Sequence, residues 1–510
     1  MAGSDPHVGR KQNRIMTKLD RNTIRIEPTR RCTRYDRMIF GQFLEHFHRQ
    51  VYGGLFEPGS PLADKHGFRM DVAEALGELR VPIVRWPGGC FASAYHWEHG
   101  VGPDRQPSYD KAWSVEDPNT FGTDEFVAWC RLIGAEPYIC TNAGSGGPEE
   151  MSNWVEYCNL ESMGRWARMR RANGSKAPHR VKYWSVGNEN YGGWEIGTKT
   201  RDEWGRFVAE SAKMMKRVDP GIVLLAAALP DVDWTMELLR QAGGYLDYVS
   251  IHGYWDALHQ DNHPANYEVC ISRSLAPEAA IRMTKHIIAG AGYEGRIGIA
   301  FDEWNLRGWH HPNKGNVAFA DIRARDKNDL NSTYTMADAV FSASFLNTCL
   351  RHCDVVGMAN MSPVINTRGP LFVHPRGIVK RTTFHVMAMY ANHLGDNVAD
   401  ARVESSSLQY AQKSVPVLDA VATCDNGRNH WSIAVVNRHP ERDTACELWL
   451  GDARLSGQHE ALVLSGPGPD AYNDVECPDR VVPARTSLTF DNGRGLFPPH
   501  SVTILKIGSR

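Results

Sequence analysis

Two glutamates carry the chemistry for which this sequence is best equipped. Glu189 closes the apolar run Tyr183-Trp-Ser-Val-Gly-Asn-Glu-Asn190, and Glu303 lies in Ile299-Ala-Phe-Asp-Glu-Trp-Asn305. Hydrolysis of a glycosidic bond needs two carboxyls, one protonated to help the leaving oxygen depart and one to attack the anomeric carbon. Glu189 is the candidate acid/base and needs a raised pKa for that task. Desolvation by Trp184, Trp194 or Tyr191 and the charge of Glu303 are the expected causes. Glu303 is the candidate nucleophile, with Arg85 and Tyr254 as expected hydrogen-bond donors. Asn188 suits the sugar hydroxyl beside the anomeric carbon, a contact that strengthens in the transition state.

These groups need elements that bring them to one place. From Met38 onward, apolar strand-like runs alternate with amphipathic helical ones: Met38 to Phe47, Ile83 to Pro87, Pro137 to Asn142, Val181 to Glu189, Ile222 to Leu229, Tyr248 to Tyr254, Ile297 to Trp304 and Val355 to Met361. Continuous apolar strands alternating with helices predict a parallel sheet buried on both faces, and eight of them predict an α/β fold closed into a (β/α)8 TIM barrel. A doubly wound open sheet is the alternative, but the first strand is not followed by a glycine-rich phosphate turn. Barrel active sites form where the strands end. Those ends read Glu45-His-Phe-His48, Arg85 to Cys90, Asn142, Asn188-Glu189, His252-Gly-Tyr254, Asp302-Glu303 and Asn360.

After about Thr382 the pattern becomes short alternating runs between Asn/Gly/Pro turns, such as Asp425-Asn-Gly427, which predicts an all-β C-terminal sandwich. Asn22-Thr-Ile-Arg-Ile-Glu27 alternates in the same way and is expected to join that sheet. The division is then 1–21 as a disordered or appended leader, 22–37 as an N-terminal strand of the sandwich, 38–385 as the catalytic barrel and 386–510 as the sandwich. The charged loop Leu306 to Asn331, with His310 and His311 after Trp309, is read as a pocket wall or a subunit contact.

Lys+Arg number 57 against Asp+Glu 59, so no net field favours nucleic acid or an anionic membrane, and neither is an expected partner. Fifteen Trp suit a protein that stacks aromatic faces on sugar rings as well as one that fills a large core. Eleven Cys show no paired disulfide spacing and no Cys-x-x-Cys knuckle, and are read as reduced. The N-terminus carries Lys and Arg but no apolar stretch of about 7–15 residues, so neither a signal peptide nor a membrane span is visible there, and a cytoplasmic location is expected, with secretion open if the native N-terminus was replaced.

Several motifs in order carry a family resemblance. Gly41-Gln-Phe-Leu-Glu-His46 with Tyr52-Gly-Gly54, Arg85-Trp-Pro-Gly-Gly-Cys-Phe91, Tyr95-His-Trp-Glu98, Phe121-Gly-Thr-Asp-Glu-Phe126, Gly187-Asn-Glu189 and Phe301-Asp-Glu-Trp-Asn305 resemble glycoside hydrolase family 51. The resemblance covers about Met38 to Asp396. It implies an exo-acting α-L-arabinofuranosidase that retains configuration, acts on arabinose-containing oligosaccharide or polysaccharide, and needs no cofactor and no metal. It also implies a homo-oligomer, with a hexamer as one form. Carried over residue by residue, it makes Glu189 the acid/base and Glu303 the nucleophile, with Glu45, Arg85, Cys90, Asn188 and Tyr254 lining the sugar subsite. Trp113 and His252 are further candidates there. Two departures stand out: His48 where the family has Gly, and Met361-Ser-Pro363 where it has a Gln near the end of strand eight.

Other readings remain on the sequence alone. The sugar could be galactofuranose or D-arabinofuranose, or the enzyme an endo-acting β-glucanase or xylanase. A sugar-binding protein without catalysis is the alternative of another class, and one with no need for both glutamates. His46 and His48 also share a strand face, as paired metal ligands do, but the partner histidines of such a site are missing, so they are read as residues that pack or tune the pocket.

Overall fold

The computed structural model describes residues 22–30, 32–259, 261–308, 316, 318–321, 326–410 and 413–508. The leader 1–21 and the loop residues Trp309, His310 and His311 lie outside the described residues. The first strand, β1 (Thr23–Ile26), stands apart from the eight that follow: β2 (Gly41–Phe43), β3 (Ile83–Trp86), β4 (Glu136–Thr141), β5 (Tyr183–Val186), β6 (Val223–Ala227), β7 (Tyr248–Ala257), β8 (Gly298–Gly308) and β9 (Val356–Met361). β2 to β9 form a closed parallel barrel in sequence order, with β9 returning to β2. Ile83, Tyr138, Tyr183, Leu225, Ala300 and Met358 meet inside it as a packed layer, which is why these strands read as unbroken apolar runs.

Helices on the outside include α1 (Met70–Glu78), α2 (Thr123–Ile133), α3 (Pro148–Asn159), α4 (Arg201–Val218), α5 (Val232–Ala242), α6 (Ala276–Gly290) and α7 (Met336–Arg351). Their starts are written in local chemistry. Thr200 and Glu203 form a reciprocal capping box at α4, Asp231 accepts from Trp234 N at α5, and Thr335 with Asp338 caps α7. No helix among the described residues is long and apolar enough to cross a membrane.

The first barrel strand is much shorter than the expected Met38 to Phe47. Asp36 caps a 3-10 turn over Arg37–Phe40, so the sheet begins only at Gly41. Beyond Phe43 the chain still tracks its neighbour, with Leu44 N donating to Arg85 O and His46 N to Pro87 O. Conversely β7 and β8 run on past the expected ends, their register shifting between Ser250 and His252, so that His252 pairs with Glu303. Such a shift re-aims side chains at a barrel rim.

The C-terminal region is built from antiparallel strands, among them β10 (Ala401–Glu404), β11 (Leu418–Cys424), β12 (His430–Asn437), β13 (Thr444–Leu450), β14 (Gly457–Leu464), β15 (Ala484–Phe490), β16 (Arg494–Phe497) and β17 (Ser501–Gly508). Strands β11, β12, β17, β14 and β15 lie side by side in one sheet. In the other, β1 sits between β10, antiparallel to it, and β13, parallel to it. The two sheets close over a separate apolar core that includes Ile24, Ile26, Leu418, Ile433, Leu448 and Leu505. The N-terminal strand thus joins the sandwich.

Candidate active site

Gly187, Asn188 and Glu189 leave the end of β5 in a tight turn. Gly187 has φ 68°, and a Cβ there would stand 2.3 Å from Asn190 Oδ1 and 2.6 Å from Ala143 Cβ, so the position tolerates no side chain. Glu189 itself has φ 43°, an uncommon left-handed backbone for a glutamate that turns its carboxyl over the barrel mouth. From β8, Glu303 projects into the same space. A carboxyl oxygen of Glu189, one of Glu303 and a ring nitrogen of His252 all lie within 4.8 Å of one another.

A hydrogen-bonded cage fixes Glu303. Arg85 Nη1 donates to its Oε2 at 2.7 Å and the Tyr254 hydroxyl to its Oε1 at 2.6 Å, while Tyr254 also lies 2.7 Å from Ser362 Oγ. Arg85 Nη2 donates to Asn188 Oδ1 at 2.8 Å, and its Nε stands 3.3 Å from Asp302. Asp302, fully buried, accepts from Tyr138 at 2.6 Å and Ser250 at 2.5 Å. Planar guanidinium geometry lets one arginine set three acidic or amide groups at once.

His252 binds the two glutamates together. Its Nδ1 lies 2.9 Å from Glu189 Oε1 and 3.4 Å from Glu303 Oε2, and its Nε2 lies 3.4 Å from Asp302 Oδ1. Burial alone would lower this imidazole, but the charge of Glu303 and the hydrogen bonds to Asp302 and Glu189 outweigh burial and push it up to about 10. The consequence corrects the expectation for Glu189. Burial does push that carboxyl up, yet the hydrogen bond and charge of His252, the Trp194 indole N–H at 2.9 Å and Arg85 leave it below its ordinary value. The sequence suggested the aromatic surroundings and missed the cation. Asp302, opposed by burial but held by Arg85, His252 and Ser250, falls to about 2.

One wall of the site is a second buried carboxyl. Glu45 Oε1 accepts from Phe91 N at 3.1 Å and from Trp113 Nε1 at 3.0 Å. Burial and then the charge of Glu303 push it up to about 8. A Cβ on Gly89 would meet its oxygens at 2.7 to 2.9 Å, so the Gly88-Gly89 pair is what admits Glu45. Cys90 follows directly, and its thiol lies within 4.8 Å of oxygens of Glu189 and Glu195. Every predicted site residue is therefore near this mouth. His46 and His48 turn away from it to different carboxylates, Asp117 at 2.7 Å and Asp326.

Glu195, Arg368 and Ser362 were not anticipated. Arg368 sits over the rings of Tyr254, at 5.2 Å, and Phe47, at 5.8 Å, and its charge reaches Glu45. It belongs to the segment after strand eight where the sequence departs from the family pattern, and that departure was the available signal. Glu195 lies in a loop of Gly, Trp and Thr with no periodicity to mark it.

Known proteins place this architecture. Profiles described as "Alpha-L-arabinofuranosidase 1 domain" and "Alpha-L-arabinofuranosidase C-terminal domain" match residues 75–270 and 302–501. Alpha-L-arabinofuranosidase C of Emericella nidulans is 34% identical over 95% of this chain and 97% of its own length. The intracellular exo-alpha-(1->5)-L-arabinofuranosidase of Halalkalibacterium halodurans is 37% identical over 86% of this chain and 89% of its own. Among solved structures, the GH51 alpha-L-arabinofuranosidase from Thermotoga petrophila superposes with a TM-score of 0.85 at 32% identity, covering 95% of this chain and all of that one. With the barrel, the sandwich and a third of its residues held in common over nearly its whole length, the chain belongs to the α-L-arabinofuranosidases of glycoside hydrolase family 51.

Proposed function

We propose that the enzyme removes terminal α-L-arabinofuranosyl residues from arabinose-containing oligosaccharides by double displacement, with Glu303 as nucleophile and Glu189 as acid/base. The observation that carries this reading is the approach of their carboxyl oxygens to within 4.8 Å. Retaining pairs stand about 5–5.5 Å apart, whereas inverting pairs leave room for a water at about 6.5–9.5 Å. In the first step Glu303 attacks the anomeric carbon, Glu189 gives its proton to the leaving oxygen, and a glycosyl ester forms as the glycosidic bond breaks. In the second, Glu189 takes a proton from water, whose oxygen attacks the same carbon and releases Glu303. Arg85 and Tyr254 each hold one oxygen of Glu303, which aims the attack. His252 supports the acid role despite the depressed Glu189 carboxyl: its Nδ1 lies 2.9 Å from Glu189 Oε1, and the raised imidazolium can pass its proton across that contact to Glu189 as the leaving oxygen gains charge.

The exo mode is supported by the Halalkalibacterium relative, which is named an exo-alpha-(1->5)-L-arabinofuranosidase. The same name, which includes "intracellular", supports a cytoplasmic location. A homo-oligomer is supported by the family resemblance, and sedimentation velocity reads it directly. Turnover of aryl α-L-arabinofuranosides tests the chemistry. Glu303→Ala is expected to lower kcat at least about a thousandfold. Glu189→Ala is expected to lose far more on poor leaving groups than on activated ones, and equal loss on both contradicts the acid role. Proton NMR of the first-formed sugar is expected to give the α anomer; the β anomer first overturns double displacement. A panel of aryl galactofuranosides, D-arabinofuranosides, xylosides and glucosides measures the sugar preference.

A further inference from the structure

Glu195 is a buried carboxyl beside the catalytic pair for which the double displacement has no use. It lies in the loop between Glu189 and α4 and is 4% exposed. Its Oε2 accepts from Asn188 Nδ2 at 3.2 Å, while Asn188 Oδ1 accepts from Arg85 Nη2 at 2.8 Å. This chain dictates which way the Asn188 amide faces. An oxygen of Glu195, the Cys90 sulfur and an oxygen of Glu189 lie within 4.8 Å of one another. Oε1 of Glu195 is buried and takes no full hydrogen bond among the described residues. A carboxyl so placed is costly to the fold, and that cost calls for a reason.

We propose that Glu195 is a positioning residue for the acid/base: its negative charge raises the proton affinity of Glu189, and its Oε2 keeps the Asn188 amide turned for the sugar. The proposal rests on Glu189 being the acid/base. A like charge within about 5 Å favours the protonated form of its neighbour. High proton affinity serves both steps, keeping the acid charged with its proton and making its conjugate base stronger. Glu303 supplies a similar charge only until it is esterified, whereas Glu195, once ionised, keeps its charge through both steps.

The surrounding groups leave this task to Glu195. From the turn after β3 come the Cys90 thiol and the Ser93 hydroxyl, polar groups that lower the proton affinity of Glu195. The cations His252, from β7, and Arg85, from β3, both lower the proton affinity of Glu189, and both are already paired with Asp302 and Glu303 of β8. Lys199 of the same loop donates instead to the carbonyls of Ala143 and Gly197. Burial, opposed by the polar groups of Cys90 and Ser93 and joined by the charge of Glu189, brings Glu195 to about 7. It therefore becomes charged from neutral pH upward, the range in which the proton Glu189 shares with His252, itself pushed up to about 10, has to be held.

The test is the pH profile of kcat/KM on an arabinofuranoside with a poor leaving group. Glu195→Gln is expected to move the basic limb down by about half a pH unit or more. Glu195→Asp, which keeps the charge, is expected to return the limb toward the wild-type position. A merely structural role would lower the rate at every pH without moving the limb, and an unmoved or raised limb in Glu195→Gln overturns the proposal. Should the Gln variant melt before assay, Glu195→Asn and Glu195→Asp, matched in size and differing in charge, give the same comparison, with the Asn limb expected lower. Glu189→Ala across leaving groups separates the two assignments. Loss independent of leaving group removes both, while leaving-group dependence with an unmoved Glu195→Gln limb removes only the role of Glu195.

Discussion

Five carboxyls crowd the barrel mouth, and their different neighbours give them different proton affinities. Glu45 is the clearest case, because its carboxyl rises from 4.5 to about 8 through burial and the charge of Glu303. The folded protein holds that proton more tightly than the unfolded chain does. The resulting stabilisation is complete below about pH 4.5 and is lost as pH rises through about 8. Glu45→Gln has no proton to lose. Its melting temperature relative to wild type is expected to climb by about 1–3 °C between pH 5 and pH 9, read by scanning fluorimetry at fixed ionic strength. A constant difference means that Glu45 titrates alike in both states. The sequence made Glu45, Arg85, Asn188, His252, Tyr254 and Glu303 legible because each follows or ends an apolar run, and barrel topology brings such positions to one rim. Glu195 and Arg368 were hidden because their positions depend on loop paths, which leave no period in the sequence.

Periodicity told most about elements buried on both sides and least about exposed ones. Helix α2 has both ends written in local chemistry, since Glu125 accepts from Gly122 N at its start and Gly134 adopts φ 75° at its stop. Strand β15 leaves no apolar run in the sequence, because Ala484–Leu488 is polar or exposed at nearly every position and its partner supplies the order. Helix α7 carries the strongest link between an element and the site. It is buried from Met336 through Leu350, and Phe345 stacks on Trp304 at 3.8 Å while meeting Phe301 edge-on at 5.1 Å. Those two aromatic residues flank Asp302 and Glu303 on β8. Phe345→Ala is expected to cost about 3–5 kcal/mol by denaturant unfolding, as a large buried ring is deleted. It is also expected to lower kcat by about tenfold to a hundredfold well below the melting temperature, because Trp304 loses the surface that holds the Glu303 backbone in place. Unchanged kcat in the folded variant would mean that the barrel strands alone position Glu303.

Across the whole molecule, α7 is also where the barrel meets the sandwich, and the junction joins an apolar face, in which Val421, Ala434, Val436, Val502 and Ile504 share one core with α7 and the barrel, to a polar network. Asp419 on β11 accepts from Arg351 Nη1 at 2.7 Å and Asn347 Nδ2 at 3.3 Å, both from α7, and lies 3.2 Å from Arg438 Nη2. Arg438 is 3% exposed, and burial pulls its guanidinium below its ordinary value, so this cation depends on its carboxylate. Its Nε donates to Ser344 Oγ, which ties the far side of the network back to α7. Strand β1 meanwhile places the start of the described chain between β10 and β13, so the sandwich cannot be completed without a segment that precedes the barrel. The two units are thus linked by covalent order, by that shared apolar face and by a desolvated ion network. Breaking such a network from one side costs about 3–5 kcal/mol, since the remaining charge stays buried without a partner. Asp419→Ala is therefore expected to lower the melting temperature by about 3–5 °C in a calorimetric scan and to separate one transition into two as the sandwich loosens first. Specific activity of the folded variant at 25 °C is expected to stay within about twofold of wild type, because Asp419 touches α7 on the face away from Trp304. That contrast with Phe345→Ala is the decisive comparison: equal losses of kcat in the two variants would mean that the sandwich, through α7, helps to hold Glu303, while an unchanged melting temperature in Asp419→Ala would mean that the ion network gives no net stability.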